Sequence, residues 1–489
     1  MSETRSWRLR LRPPLPPWRG SPRARTARFA AVSAVAGLVV AGTAVGAAGP
    51  WEGGQRKAER ARAAADTAAG GGRPAQPVRP DAPPVLAALG GRATAPQPTR
   101  DGLGGALDGL LKDSALGAQT SAAVVDVATG QQLFGSDQDT PYTPASTIKT
   151  ATAAAALAAL GPAHRIETTA VADGDTVVLV GGGDPTLTAR PAKEGAPPAA
   201  SLKELADATA RGLKARGKGR VKVAYDASRY SGPAVHPIGP NENIAPVSAL
   251  TVDEGRLDDS DHGPAERTAD PAGDAGRKFA GMLREAGVDV DGDPAAGRAG
   301  EKAERLASVS SPPLSALVER TLTNSDNDIA EALARQTALA SGQPADFEGA
   351  ARAVTGRLEK LGLPLSGARI ADGSGLDRAD HVSAAFLASL LARAADPARP
   401  ELRPVLTGLP VAGFSGTLSG RYGADAAGRG VVRAKTGTLT GVNTLSGTVV
   451  DADGRLLSFA FMTTGAASGE GAQGALDRLA TAVAGCGCR

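Results

Sequence analysis

Cysteine is almost absent, with only Cys486 and Cys488 among 489 residues. A disulfide framework holding the chain together is thereby excluded. A chain of this length needs none, because it can bury the cores of two or three domains. The terminal Cys-Gly-Cys can pair, bind a metal or stay free, and an unstructured tail is expected. Aromatic residues are also scarce, at 3% against 42% hydrophobic residues. The core must therefore be built from Ala, Val and Leu, and stacking platforms for nucleic-acid bases are not available. The four histidines, His164, His236, His262 and His381, lie far apart without metal-ligand spacing. A zinc peptidase is accordingly excluded, and no metal or other cofactor is expected. No Gly-x-Ser-x-Gly occurs, so a Ser-His-Asp hydrolase has no supporting motif.

What is present begins with charge. The net charge of +3 conceals an asymmetry: residues 1–28 hold eight arginines against Glu3 alone, an excess of +7, which leaves −4 for the remainder. That balance argues against a nucleic-acid partner. An uncharged run follows at residues 29–48, long enough at about 1.5 Å per residue to cross a bilayer. Arginines before it place the N-terminus in the cytoplasm and the rest outside. The run is read as a transmembrane anchor or a cleaved signal, with small residues at every cleavage position near Gly46 to Ala48. Residues 49–100, rich in Pro, Gly and Ala, read as a linker that spaces the folded part from the membrane, with a short basic helix over 55–69.

From residue 101 the pattern becomes globular. Leu103, Leu107, Leu110 and Leu111 recur at helical spacing, and residues 121–127 and 131–134 flank Ala128-Thr129-Gly130 as two strands and a turn. A helix follows over residues 146–160. Residues 166–305 differ in texture: strands over 166–172 and 176–180, a helix over 201–215, a strand over 220–225, and a helix over 273–286. They read as an inserted α+β domain. Helices return over 326–339, 347–361 and 381–394. Three strands (431–439, 441–451, 456–464) and a closing helix (471–484) complete the chain. Strands from both ends with helices between them describe an α/β domain, formed by residues 101–165 and 306–485, that is interrupted by the insertion.

Three short motifs carry chemistry. Ser146-Thr147-Ile148-Lys149 opens a helix, and one turn brings the hydroxyl and the amine to one face. Ser325-Asp326-Asn327 heads a later helix, and Lys435-Thr436-Gly437-Thr438 lies in a strand. Each alone has a plain structural use: a helix cap, another cap, an edge strand. Their occurrence together and in this order points to catalysis. A serine hydroxyl becomes nucleophilic when a base takes its proton, and a buried lysine beside a second cation can be that base.

With these motifs the chain resembles the penicillin-binding serine peptidases. It is most similar to their low-molecular-mass class C group, the D-alanyl-D-alanine carboxypeptidases and endopeptidases. Gly183-Asp184-Pro185-Thr186-Leu187, Pro246-Val247-Ser248-Ala249-Leu250 and Asp372-Gly373-Ser374-Gly375-Leu376 support the resemblance, with the stretch from Gly416-Thr417-Leu418 to Leu439. It implies a β-lactamase-like fold, an antiparallel sheet with flanking helices plus an all-helical half. It also implies Ser146 as nucleophile, Lys149 as base, Ser325 as proton relay, Asn327 as positioning group and Lys435 as second cation. The backbone N–H groups of Ser146 and Thr438 would form the oxyanion hole. Thr436, Gly437 and Thr438 would bind the substrate's terminal carboxylate. The implied substrate is a peptidoglycan stem peptide, with β-lactams as covalent inhibitors. Two alternatives stay open at this level: a β-lactamase, and a non-catalytic membrane-anchored module that binds peptidoglycan or β-lactams. Asp372 and Ser374 are expected to shape a turn, and Asp184-Pro185 to be structural.

Overall fold

The computed structural model describes residues 95–488, except 192–194 and 196–197. The basic segment 1–28, the uncharged run 29–48 and most of the linker lie outside the described residues. Among the described residues no helix is long and apolar enough to cross a membrane.

Helix α1 (Arg100–Leu107) leads into the hairpin β1 (Gln119–Asp126) and β2 (Gln132–Ser136), and α2 (Lys149–Leu160) follows. Next come β3 (Glu167–Asp173), β4 (Thr176–Val180), α3 (Leu202–Ala215), β5 (Arg220–Asp226), α4 (Pro271–Glu285), β6 (Asp289–Ala296) and β7 (Glu304–Ser310). The helical stretch comprises α5 (Leu314–Asn324), α6 (Asn327–Ala340), α7 (Phe347–Lys360), α8 (Ala384–Ala394) and the single turn α9 (Pro404–Thr407). Strands β8 (Arg433–Leu439), β9 (Val442–Val450) and β10 (Leu456–Thr464), then α10 (Gly469–Ala484), end the chain.

The first sheet has the order β2-β1-β10-β9-β8 and is antiparallel throughout. Side chains alternate across a strand, and the register puts the two sets to different uses. Ala122, Val124, Leu445, Phe459 and Phe461 pack with Leu103, Leu107, Leu476 and Leu479 of the terminal helices. Ala123, Val125, Ala460 and Met462 face the helical half, among Ile329, Leu333, Phe386 and Leu387. In that half the alanine run of α2 is buried from Ala151 to Ala156; small side chains let its neighbours approach closely, which fixes where its first residue points. The result is the penicillin-binding/β-lactamase-like fold that the resemblance implies.

A second sheet, β6-β5-β4-β3-β7, is mixed: β4, β5 and β6 run parallel, while β3 pairs antiparallel with both β4 and β7. It has its own core, in which Leu205 and Leu213 of α3 and Phe279 and Leu283 of α4 cover Val177, Leu179, Val221 and Val223. Two of its strands are absent from the sequence reading. β6 contains Gly292 and Pro294, and β7 has no buried position, so neither carries the apolar alternation that betrays a strand. β7 also carries this sheet past residue 305.

Both ends of the described chain are docked, which corrects two expectations. Cys486 and Cys488 pair as a disulfide, Cys486 is buried in the core, and the Thr99 N–H donates to the Cys488 carbonyl at 2.9 Å. The tail is therefore structured, because it closes on the segment entering α1. On the same side Arg455 donates to the Ala95 carbonyl, so ordered contacts begin inside the stretch assigned to the linker.

Candidate active site

Ser146 does not begin the α-helix. It lies in a 3-10 turn, Ala145–Ile148, and Lys149 is the first residue of α2. Residues i and i+3 eclipse in a 3-10 turn, so the pair aligns more closely than an α-helical start would allow. Lys149 Nζ stands 2.7 Å from Ser146 Oγ. The turn is entered through Ala145 in the left-handed region, φ 48°, which costs a non-glycine residue roughly 1–2 kcal/mol. Two neighbours hold it there. Thr444 Oγ1 of β9 donates to the Pro144 carbonyl at 2.7 Å. Gly375 approaches so closely that a Cβ on it would fall 2.1 Å from the Ala145 carbonyl oxygen.

Ser325 and Asn327 are fixed by a junction between two helices. Ser325 ends α5 in the left-handed conformation, φ 59°, and Asp326 caps α6 by accepting from the Ile329 N–H at 2.9 Å. The reversal turns Ser325 toward β8 and Asn327 toward α2. Lys435 Nζ donates to Ser325 Oγ at 2.9 Å and to the Thr436 carbonyl at 2.8 Å. Lys149 Nζ also reaches Asn327 Oδ1 at 2.7 Å and the Ser374 carbonyl at 2.5 Å. Thr436 Oγ1 meets Thr417 Oγ1 at 2.8 Å. Gly437 permits close packing, since a Cβ there would lie 2.6 Å from the Pro144 carbonyl oxygen.

Ser146, Ser325, Asn327 and Thr438 line one cavity of about 220 Å³. Lys149 and Lys435 lie behind it, both 0% exposed. Burial pushes the Lys149 amine down to about 8, against the pull of the Asp372, Asp326, Glu331 and Asp380 carboxylates. Burial also moves Lys435 well below the usual lysine range, and the charge of Lys149 adds to the shift. A pair of buried amines that share one environment and disfavour two charges can accept and release a proton near neutral pH.

Residues 103–260 and 260–483 match the D-Ala-D-Ala carboxypeptidase 3 (S13) family. The chain belongs to this family. A carboxypeptidase of Mycobacterium tuberculosis is 38% identical over 432 residues, covering 85% of this chain and 90% of that protein. A D-alanyl-D-alanine carboxypeptidase of Actinomadura is 31% identical, covering 73% of this chain and 80% of its own. Penicillin binding protein 4 of Haemophilus influenzae superposes with a TM-score of 0.63 at 22% identity, over 78% of this chain and 97% of that structure. That likeness concerns the fold.

Several cavity residues of this S13 chain escaped the sequence reading. Asn243, Arg256 and Arg267 come from the long segment between β5 and α4, and Asp328 directly follows the Ser325-Asp326-Asn327 motif. Asn327 Nδ2 donates to the Asn243 carbonyl, and Arg267 Nη1 to Asp328 Oδ2 at 2.6 Å. Nothing in the local sequence marks these arginines, because only the folding of the insertion onto α6 brings them to the site. His236, Glu331 and Asp372 also gather behind Lys149, as do Glu254, Asp326 and Asp328 nearer the cavity, with ligand atoms within 4.8 Å of one another in each group. Protein partners already engage both groups: His236 with Asp372, and Arg256 and Arg267 with Glu254 and Asp328.

Proposed function

We propose that the protein hydrolyses the peptide bond between the two terminal D-alanines of a peptidoglycan stem peptide through an acyl-enzyme on Ser146. The observation that carries this reading is the placement of Lys149 Nζ at 2.7 Å from both Ser146 Oγ and Asn327 Oδ1. A hydroxyl held against an amine of depressed basicity is an activated nucleophile. Lys149 takes the proton of Ser146 as Oγ attacks the scissile carbonyl. The backbone N–H groups of Ser146 and Thr438 stabilise the oxyanion. Ser325, held by Lys435, gives its hydroxyl proton to the departing amine and takes up the one that Lys149 drew from Ser146, and D-alanine leaves. Water then attacks the ester and frees Ser146.

β8 is the edge of its sheet, so the substrate backbone can add beside it as a further strand. Its carboxylate would lie against Lys435, Thr436 and Thr438. A carboxylate arriving there restores the charge of Lys435, and that charge in turn favours a neutral Lys149. Substrate binding thus readies the base. The same chemistry on a cross-bridge amide would be endopeptidase action, and a β-lactam would acylate Ser146 and leave slowly. Comparing D-alanine release with cross-link cleavage on defined muropeptides tests both activities.

The stem peptide lies outside the cytoplasm. The arginine-rich residues 1–28 before the uncharged run 29–48 fit an envelope enzyme held by one membrane span or secreted after cleavage. Fractionating cells that express the full chain distinguishes the two. The decisive test of the chemistry is covalent labelling with a fluorescent penicillin. Wild type should label and Ser146→Ala should not; equal label on both would overturn the assignment.

A further inference from the structure

His236 is buried in a place that nothing in the proposed chemistry requires. It is delivered by the segment after β5 of the second sheet, and its ring stands edge-on to Phe347 with centroids 5.2 Å apart. His236 Nε2 lies 3.0 Å from Asp372 Oδ2 and 3.8 Å from Glu331 Oε1. All three side chains are at most 3% exposed.

Asp372 is the centre of the turn that follows. Its Oδ1 accepts from the N–H groups of Ser374 at 3.0 Å and Gly375 at 2.5 Å. Its Oδ2 accepts from the Asp377 N–H at 2.8 Å and from Ser374 Oγ at 3.2 Å. Glu331, one turn along α6 from Asn327, accepts the Gly373 N–H at 2.9 Å. A turn wound on one carboxylate presents the Ser374 carbonyl to Lys149 Nζ. The hydrogen-bonded path is therefore continuous from His236 through Asp372 and the Ser374 carbonyl to Lys149 and Ser146.

We propose that His236 is a positioning residue for Lys149: it orients the Asp372 carboxylate, which winds the turn whose Ser374 carbonyl places the lysine amine against Ser146. The inserted segment is on this view part of the catalytic apparatus. The physical warrant is the cost of a buried carboxylate whose charge has lost its cationic partner. Burial by itself would raise Asp372 and lower His236; their hydrogen bond outweighs it in both, joined at Asp372 by the Asp380 hydrogen bond and at His236 by the Glu331 charge, and holds Asp372 low and His236 high. Without the imidazole Asp372 keeps its four donors in the turn but its buried charge loses its cationic partner, and the turn shifts as the carboxylate moves or takes up a proton. A displacement near 1 Å of a catalytic group costs on the order of 100-fold.

The inference rests on the reading of Ser146 and Lys149 given above, and the experiment separates the two. The full chain is prepared as wild type, His236→Ala and His236→Gln, and active sites are counted with a fluorescent penicillin. The turnover number and KM on a D-Ala-D-Ala peptide are then expressed per labelled site. For His236→Ala we expect turnover per labelled site to fall about 10–100-fold with KM within about twofold. His236→Gln, which keeps a donor but no charge, should recover part of the rate. Its pH–rate midpoint should move upward, because the Asp372, Asp326, Glu331 and Asp380 carboxylates that raise Lys149 then lose one facing cation. If His236→Ala does not fold, the His236→Gln midpoint decides by itself, and an unmoved midpoint overturns the proposal. Fewer labelled sites with unchanged turnover per site would show a purely structural histidine and would also overturn it. Label that persists on Ser146→Ala would instead sink the underlying assignment.

Discussion

Lys149 and Asn327 are separated by 178 positions in the chain and meet at 2.7 Å. Asn327 holds the lysine with its carbonyl oxygen, while its amide nitrogen donates to the Asn243 carbonyl at 2.9 Å. One side chain thus ties the first turn of α6 to Lys149 on α2 and to the inserted segment. Because both ends of the amide are committed, its orientation is set, and with it the direction of the lysine amine.

Replacing Asn327 tests that coupling. In Asn327→Ala the amine loses one of three partners, and the acylation rate with a fluorescent penicillin should fall on the order of 100-fold. Asn327→Asp keeps an acceptor but puts a carboxylate beside Lys149, which raises its pKa. Acylation by this variant should need higher pH. Stopped acylation time courses from pH 6 to 10 measure both effects.

The sequence made the parts of this site legible and left their arrangement hidden. Ser146, Lys149, Ser325, Asn327 and Lys435 stood out because each motif is short and local. The strands β8 to β10 were equally plain, since their apolar periodicity matches a sheet buried on both faces. Ser146 was misplaced by a fraction of a turn, because a 3-10 entry set by a left-handed Ala145 depends on Gly375 and Thr444 from distant parts of the chain. His236 could not be read at all. A lone histidine in an irregular segment carries no pattern, and its partners Glu331 and Asp372 lie 95 and 136 residues away.

Gly375 has no room to be anything else. Its φ is +81°, and a Cβ would fall 2.1 Å from the Ala145 carbonyl oxygen. Gly375→Ala should therefore push the Ser146 turn away and lose about 2 kcal/mol or more of stability through backbone strain and overpacking. Urea unfolding measures the loss. Turnover per labelled site should fall as well, because the displaced turn carries the nucleophile and the substituted one carries the Ser374 carbonyl that holds Lys149.

The pH dependence follows from the direction of the Lys149 shift. The base must be neutral, and burial brings its pKa down to about 8. Second-order acylation should therefore be slow at pH 6, rise about tenfold per unit, and level off above about pH 8. Lys149→Arg, which stays charged at every accessible pH, should abolish the rise. A flat profile in the wild type would show that Lys149 is not the group being titrated.

Asp126 offers the opposite control, a residue that holds the fold without touching the site. It is fully buried at the end of β1 and receives Arg455 Nε at 2.7 Å and Nη2 at 2.6 Å. It also accepts the Ala128 and Thr129 N–H groups that close the β1–β2 hairpin, at 2.8 and 3.0 Å. Asp126→Ala removes the carboxylate from a buried guanidinium and leaves both hairpin donors without their acceptor. The loss should be about 3–5 kcal/mol, read as a lower urea midpoint with the m-value unchanged. Asp126→Asn keeps an acceptor for the hairpin and should lose less. In both variants the fraction of labelled molecules should fall with stability while turnover per labelled site stays at the wild-type value, because the hairpin lies on the far side of β10 and β9 from β8 and its lysine.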